Sequence, residues 1–328
     1  MTKFFLRAVW VIGMFLGCDR HLIGTEPQVA VEPAAKKEEI EVKVSQFHMG
    51  MMVDLIVWAP SLEEGQKACA KAFDRIRELN LIFSDYEPES ELSRLCRQAG
   101  HGPVKVSSEL FTVLKLADEL SGLAGGHYDI TAAPVIRLWR QARRDKKLPE
   151  AETVAQSMKL VGHEKLLLDS TNQTAELMQP GMLLDPGSIA KGYIGDQAIA
   201  VFRSLGYPSA AFNAGGDMVF GDAPPGKKGW PIKPAKKDLE TMYVSNCGFS
   251  VSGDTVQFVE VNGKRFSHVI DALTGQALTQ HGMCMVIAPT GLLSDPLSTI
   301  GTMLPAGDFN RMVHQHFPKV QTWVFVSE

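Results

Sequence analysis

The sequence predicts an α+β fold in which mixed or antiparallel sheets pack against helices. Strand-like and helix-like segments follow one another without the regular alternation of a doubly wound parallel sheet. Asn262-Gly263 lies between two β-rich runs and is the strongest short hairpin signal that a sequence offers. A hydrophobic fraction of 45% and a charged fraction of 21% are typical of a globular chain. This composition excludes a disordered chain, a collagen-like repeat and a coiled-coil rod.

The charge and the cysteine count exclude further classes of protein. The 328 residues carry a formal net charge of −4, which argues against electrostatically driven binding of nucleic acid. The five cysteines form no CxxC pair, so a zinc ribbon, a redox dithiol and a disulfide scaffold are all disfavoured. A chain of 328 residues is close to the size at which a single hydrophobic core stops growing, so its length is compatible with two lobes.

The amino terminus is typical of an export signal. Lys3 and Arg7 precede an apolar run over residues 8–17, which is shorter than the roughly 20 residues of a mature membrane helix. Gly17-Cys18 resembles the end of a bacterial lipoprotein signal, whereas an ordinary signal peptide or an uncleaved anchor is the alternative. We therefore predict a signal over residues 1–17, a lipid anchor at Cys18 with a flexible tether over residues 18–45, and a folded domain over residues 46–328.

Residue periodicity then predicts the elements of the folded domain in order. Apolar positions three or four residues apart predict the helices. One starts at the Ser61 capping box, and the others cover residues 108–124, 134–143, 188–205 and 293–303. Short β-rich runs predict strands over residues 47–58, 166–168, 174–178, 182–184, 210–212, 218–220, 256–261, 265–270, 284–288 and 320–326.

Two glycine-containing turns are candidate ligand-binding elements. Ser188 is suited to cap a helix, and Lys191 adds a positive charge near its start, where backbone N–H groups attract phosphate. The alternative is a capped helix with a lysine that faces solvent. The paired glycines between Asn213 and Asp217 let the backbone approach a ligand closely, or they form a plain turn.

Three further groups of residues carry side chains with possible chemistry. Asp295 and Thr299 are four residues apart on one helical face and offer hard oxygen donors for Mg²⁺, or they are a helix cap and a surface hydroxyl. His268 ends a strand, where it is placed to act as a general base or has a structural role. Met49 and Tyr86 could face a flat aromatic ligand, although such residues are more often part of a core.

Taken in order, these motifs closely resemble the ApbE family of FAD:protein FMN transferases. The resemblance covers residue 47 to the carboxyl end. It is carried by Met49-Gly50, Ser84-Asp85-Tyr86 with Ser90-Glu91, and the segments 126–131, 185–192, 213–217, 252–254, 268–275 and 295–299. The chain departs from the family pattern where Tyr128 stands in place of Phe and where Pro296 follows Asp295 directly.

The resemblance implies a single catalytic body, in one or two lobes, that binds FAD and Mg²⁺. It assigns the metal to the carboxylate of Asp295, the hydroxyl of Thr299 and the backbone carbonyl of Ser188, and it assigns the role of base to His268. The residues that it assigns to FAD are Met49, Tyr86, His127, Tyr128, Asp129, Asp185, Lys191 and Ile270.

The activity that the resemblance implies is Mg²⁺-dependent transfer of FMN from FAD to a Thr or Ser hydroxyl of an acceptor protein, with release of AMP. The alternatives are an Mg²⁺-dependent FAD pyrophosphatase and a flavin-binding lipoprotein without activity. The acceptor is expected to be a membrane or periplasmic redox protein. The expected location is the cell envelope, with a lipid anchor in the inner membrane and the domain facing the periplasm.

Overall fold

The computed structural model describes residues 38–234, 240–253, 258–261, 263–279 and 282–326. The predicted signal, Cys18 and most of the predicted tether lie outside these residues, as does Asn262 of the predicted hairpin turn. Within the described residues, the helices are too short or too polar to cross a membrane. The described residues from Glu38 onward belong to one compact unit.

The strands and helices are numbered in chain order. The strands are β1 Ile40–His48, β2 Met51–Ala59, β3 Val104–Lys105, β4 Leu166–Asp169, β5 Thr174–Leu177, β6 Ala210–Ala214, β7 Asp217–Phe220, β8 Trp230–Ile232, β9 Met242–Val244, β10 Cys247–Gly253, β11 Phe258–Val261, β12 Lys264–Ser267, β13 Ile270–Asp271, β14 Gln276–Ala277, β15 Gly282–Ala288 and β16 Gln321–Val326. The helices are α1 Leu62–Phe83, α2 Glu91–Arg97, α3 Ser108–Leu123, α4 Ala133–Asp145, α5 Ala151–Met158, α6 Ala190–Ser204, α7 Gly291–Met303 and α8 Ala306–His316.

The main sheet has seven strands in the order β1-β2-β6-β7-β10-β15-β16. Each neighbouring pair in it is antiparallel. Small antiparallel sheets are formed by β3-β5-β4, β8-β9, β11-β12 and β13-β14. The predicted α+β class is therefore confirmed, with antiparallel pairing throughout these sheets.

One face of the main sheet forms the principal core with α1, α6 and α7. Val53, Leu55 and Val57 of β2 are fully buried there, because alternate residues of a strand point to the same face. A second cluster around Trp230 and Phe249 lies on the other face. The first turns of α6 and α7 meet over this face, where Gly192 lies next to Gly291.

A smaller hydrophobic cluster joins α4 and α5 to the β13-β14 ribbon. Trp139 packs against Phe266 with a ring-centroid distance of 5.5 Å, and its indole Nε1 donates to the Gly275 carbonyl at 2.9 Å. Ile270 is buried in the same cluster. The ribbon that follows His268 is thereby attached to the rest of the domain.

Several predicted elements are confirmed, and others need correction. Helix α1 begins after Ser61, whose hydroxyl accepts from the Glu64 N–H at 3.2 Å as predicted. The single strand predicted over residues 47–58 is wrong, because Met49 and Gly50 have positive φ angles of 52° and 74° and form the turn between β1 and β2. The strand predicted over residues 182–184 is absent from the structure there.

Two predicted boundaries also move. The folded part begins earlier than predicted, because β1 starts at Ile40 and residues 40–45 belong to the sheet rather than to the tether. Helix α6 begins at Ala190 with Ile189 as its cap, so Ser188 does not cap it. Ser188 instead lies in the loop that precedes the helix.

Candidate active site

Helices α6 and α7 approach each other closely at two glycines. A Cβ atom on Gly192 would lie 1.9 Å from the Gly291 carbonyl oxygen, so only glycine permits this approach. The Gly192 backbone N–H donates to Asp295 Oδ2 at 3.0 Å. The close approach therefore brings the first turn of α6 to the carboxylate that the family resemblance assigns to a metal.

Lys191 lies between two buried carboxylates at this junction. Its Nζ atom is 3.2 Å from Asp295 Oδ1 and 3.2 Å from Asp217 Oδ2, and it donates to the Gly187 carbonyl at 2.5 Å. Lys191 is thus part of an ionic cluster and does not simply face solvent. Asp217 ends the glycine turn and was not predicted as a site residue, although the sequence already showed its motif.

The charges in this cluster influence one another. Burial raises the pKa of Asp295 to about 7, and repulsion by the Asp217 carboxylate adds to the effect. Burial opposes the charge on Lys191, but the Asp217 and Asp295 carboxylates outweigh it and raise the pKa of Lys191 above its usual range. Two carboxylates and one ammonium leave an excess of negative charge, which a bound cation would compensate.

The oxygen donors in this region suit a hard divalent cation. Thr299 lies one helical turn beyond Asp295 on the same face of α7. The Ser188 loop leads directly into α6, which carries Lys191 and Gly192. Among the described residues, groups of three or more His, Cys, Asp or Glu side chains that could hold a metal are absent. A metal here would therefore combine carboxylate with neutral hydroxyl and carbonyl oxygens, as Mg²⁺ accepts.

A second network connects Tyr86 to the same loop. Arg140 donates to Asp85 Oδ2 at 2.5 Å and to Asp185 Oδ2 at 2.7 Å, and its guanidinium lies 5.0 Å from the centre of the Tyr86 ring. Burial raises the pKa of Asp185, although Arg140 opposes this shift. Asp185 Oδ1 in turn accepts from the Gly187 N–H at 2.9 Å. Gly187 thereby joins this network to Lys191.

An open cavity lies beside the Arg140 network. It has a volume of about 540 Å³. It is lined by Asp85, Tyr86, Pro88, Leu92, Ser93, Cys96, Arg97, Arg137, Arg140, Arg144, Leu183 and Leu184. Tyr86 is 74% exposed, so it is a surface residue of this region and not part of a core.

The segment that contains His127, Tyr128 and Asp129 contacts both the β13 ribbon and the Ser188 loop. His127 Nδ1 lies 3.1 Å from Asp271 Oδ1, and the His127 carbonyl accepts from the Ala272 N–H at 3.0 Å. The buried Tyr128 hydroxyl lies 3.3 Å from Ser188 Oγ. His268 is half-buried between β12 and β13. These contacts hold the ribbon after His268 to the segment that touches Ser188.

Two of the predicted flavin contacts have local structural roles. Asp129 caps a short 3-10 helix over Ile130–Ala132, and its Oδ1 accepts from the Thr131 N–H at 2.7 Å. Burial raises the pKa of Asp129. Met49 occupies the β1-β2 turn and packs against the main core. Asp129 therefore acts as a helix cap in the structure, and the assignment of both residues to flavin stays a prediction.

The sequence is similar to those of known proteins over most of its length. The ApbE family model matches residues 49–324. The chain belongs to the ApbE family. It is 32% identical over 237 residues to a curated FAD:protein FMN transferase of Haemophilus influenzae, with 68% of each chain covered. It is 26% identical to one of Klebsiella pneumoniae, with 70% of this chain and 73% of the relative covered.

Solved structures of ApbE proteins share the fold. The flavin transferase ApbE from Vibrio cholerae superposes with a TM-score of 0.78 at 23% identity, covering 88% of this chain and 94% of that one. The ApbE protein from Thermotoga maritima gives a TM-score of 0.77 at 23% identity with the same coverage. The predicted family and fold class are therefore confirmed.

In this ApbE member, Asp196 supports the helix that carries Asp295 and Thr299. Its Oδ1 accepts from the Gly291 N–H at 2.7 Å and its Oδ2 from the Leu292 N–H at 2.8 Å. Helix α7 has no side-chain hydrogen bond from its own cap, Thr290. Asp196 therefore caps α7 from α6. Burial raises the pKa of this carboxyl to about 6, against the effect of its hydrogen bonds. This role could not be predicted from the sequence, because Asp196 lies mid-helix.

Replacing Asp196 with alanine is expected to lower the free energy of unfolding by about 2 kcal/mol, because two N–H groups at the start of α7 lose their acceptor. Asp196→Asn keeps one acceptor oxygen, so it should lower the free energy of unfolding by about half as much. Urea unfolding of the three proteins measures the difference. Equal stability of Asp196→Ala and the unmodified protein would contradict the capping role.

Proposed function

We propose that this chain is an Mg²⁺-dependent FAD:protein FMN transferase, which moves the FMN moiety of FAD to a Thr or Ser hydroxyl of an acceptor protein and releases AMP. The observation that supports this most is the cluster of Lys191, Asp217 and Asp295 at the start of α6 in a chain of the ApbE family. A buried ammonium beside hard oxygen donors suits a pyrophosphate with its metal.

Different residues of the site have different roles in the proposed reaction. Asp295, Thr299 and the Ser188 carbonyl would hold Mg²⁺, which when bound supplies positive charge that neutralises pyrophosphate oxygens. Lys191 adds charge from the protein, and Arg140 orients Tyr86 and Asp185 on the side of the cavity. The protein thus positions the substrate and stabilises its charge, which is most of what phosphoryl transfer requires.

The proposed reaction forms one bond, breaks one bond and requires one base from the protein. The acceptor hydroxyl oxygen attacks the phosphorus nearest riboflavin, the bond from this phosphorus to the AMP oxygen breaks, and AMP leaves. His268 takes the hydroxyl proton, as a neutral imidazole nitrogen can. The product is FMN joined to the acceptor through a phosphoester bond.

Mass spectrometry tests this activity directly. The protein is incubated with FAD, Mg²⁺ and a candidate acceptor domain, and the acceptor is expected to gain the mass of FMN while AMP appears in equal amount. A parallel reaction without acceptor separates the alternative activity, since a pyrophosphatase releases FMN and AMP there. An acceptor that an established flavin transferase modifies but this protein leaves unchanged would contradict the proposal.

Replacing His268 with alanine is expected to slow FMN transfer by about 10²-fold, because the acceptor hydroxyl loses its base. FAD affinity should change little. Transfer rate is followed by mass spectrometry and FAD affinity by flavin fluorescence. His101→Ala, at an exposed histidine outside the site, is the matched control and should keep the rate. An unchanged rate in His268→Ala would show that another group accepts the proton.

We further propose that Cys18 is lipidated and anchors the chain in the inner membrane, with the domain facing the periplasm. The positive charges, the short apolar run and Gly17-Cys18 support this location. Mass spectrometry of the protein from bacterial membranes should find an amino-terminal lipid on Cys18. The lipid should be absent from a Cys18→Ser variant, and an unmodified chain whose amino terminus carries no lipid would contradict the anchor.

A further inference from the structure

Two pairs of serines join strand β10 to helix α7. Ser250 and Ser252 lie on the same face of β10, and Ser294 and Ser298 lie on the same face of α7. Ser250 Oγ is 2.9 Å from Ser294 Oγ, and Ser252 Oγ is 2.8 Å from Ser298 Oγ. The two pairs repeat the same contact one helical turn apart.

Only the second pair reaches a candidate metal donor. Ser252 Oγ also lies 3.2 Å from Thr299 Oγ1, and Ser298 Oγ donates to the Asp295 carbonyl at 2.8 Å. The first pair ends instead at the Gly291 carbonyl, 3.3 Å from Ser294 Oγ. Three hydroxyls therefore form a chain from Thr299 to the backbone of Asp295.

The number of available protons determines the direction of these hydrogen bonds. A carbonyl oxygen can only accept, so the single proton of Ser298 goes to Asp295. Ser252 must then donate its own proton to Ser298, and Thr299 must donate to Ser252. The proton of Thr299 is thus directed toward β10, and both lone pairs of Oγ1 remain available on its other side.

We propose that Ser252 is a positioning residue for the metal site, which acts by accepting the Thr299 proton and so presents Thr299 Oγ1 to a divalent cation as a pure acceptor. This inference rests on the proposed function, because it takes Thr299 as a metal donor. It assigns a role to Ser252, which lies in the 252–254 segment of the family resemblance. Partners that orient a metal ligand commonly change metal affinity by 10- to 100-fold when they are lost.

Metal affinity tests the role without catalysis. Mn²⁺ is titrated into the full chain in the presence of FAD, free Mn²⁺ is measured by electron paramagnetic resonance, and binding to FAD alone is subtracted. Ser252→Ala should bind Mn²⁺ about tenfold more weakly than the unmodified protein. Ser250→Ala is the matched control, since it removes the same kind of buried bond on the same strand, and it should stay within about twofold.

A double-mutant cycle separates positioning from folding. In a Thr299→Val background, Ser252→Ala should lower Mn²⁺ affinity almost no further, because the hydroxyl through which Ser252 acts is already absent. Ser252→Cys retains a weak donor and acceptor of similar size, so its Mn²⁺ affinity should lie between those of serine and alanine. Circular dichroism establishes that each variant folds.

Several outcomes would overturn the inference. If Ser252→Ala lowers Mn²⁺ affinity equally with and without the Thr299 hydroxyl, Ser252 acts only through the packing of β10 on α7. The same conclusion follows if Ser250→Ala lowers Mn²⁺ affinity as much as Ser252→Ala does. If the unmodified protein and Asp295→Ala bind Mn²⁺ alike, the metal assignment within the proposed function fails first, and the role of Ser252 fails with it.

Discussion

Replacing Asp295 with alanine is expected to lower FMN transfer by about 10³-fold or more and to remove its dependence on Mg²⁺. The carboxylate is the one charged donor assigned to the metal, and metal ions supply several kcal/mol of charge stabilisation in such reactions. Its loss also leaves the Gly192 N–H without its acceptor and Lys191 with Asp217 as its remaining carboxylate partner. Transfer rates over a range of Mg²⁺ concentrations measure both effects.

Two further variants identify the cause of that loss. Asp295→Asn keeps the size of the side chain and an oxygen that can accept from Gly192, but it removes the charge. We expect it to fold and still to lose Mg²⁺ dependence. Asp308→Ala removes an exposed aspartate of another helix, α8, and should leave the rate unchanged. A normal Mg²⁺ response in Asp295→Asn would mean that the metal lies elsewhere.

The part of the site that depends on local spacing could be predicted from the sequence. Asp295 and Thr299 are four residues apart in an apolar periodic segment, and α7 places them on one face as expected. The glycine turn before Asp217 and the helix start near Lys191 were also visible as local patterns. In each case the residues that define the feature are neighbours in the chain.

The partners of these residues could not be predicted in the same way. Lys191 and Asp295 are 104 positions apart, and Arg140 and Asp185 are 45 apart. Such pairs depend on how α4, α6 and α7 pack, which periodicity does not specify. The β1-β2 turn was missed for a different reason, since Met49 is a non-glycine residue with positive φ and apolar residues continue on both sides of it. Family resemblance supplied the order of the motifs but not these contacts.

The closest backbone contact of the site depends on Gly192. A Cβ there would meet the Gly291 carbonyl carbon at 2.3 Å, in addition to its oxygen, and the Asp295 Cβ at 3.0 Å. The first two are backbone atoms of α7, whose amino terminus is held by Asp196, so a side-chain rotation cannot relieve the clash. The two helices would have to separate, and the bond from Gly192 N–H to Asp295 would break.

Replacing Gly192 with alanine is therefore expected to lower the free energy of unfolding by about 4 kcal/mol or more, at the upper end of the range for single substitutions. Any folded protein should lose Mn²⁺ binding, because Lys191 and Asp295 no longer meet. Gly307→Ala, in helix α8, is the matched control: a Cβ there meets no atom within 4 Å, and alanine favours a helix by about 0.5–1 kcal/mol. Urea unfolding compares the two. A Gly192→Ala protein as stable as Gly307→Ala would mean that α6 and α7 can separate at little cost, and the site would not then depend on their close approach.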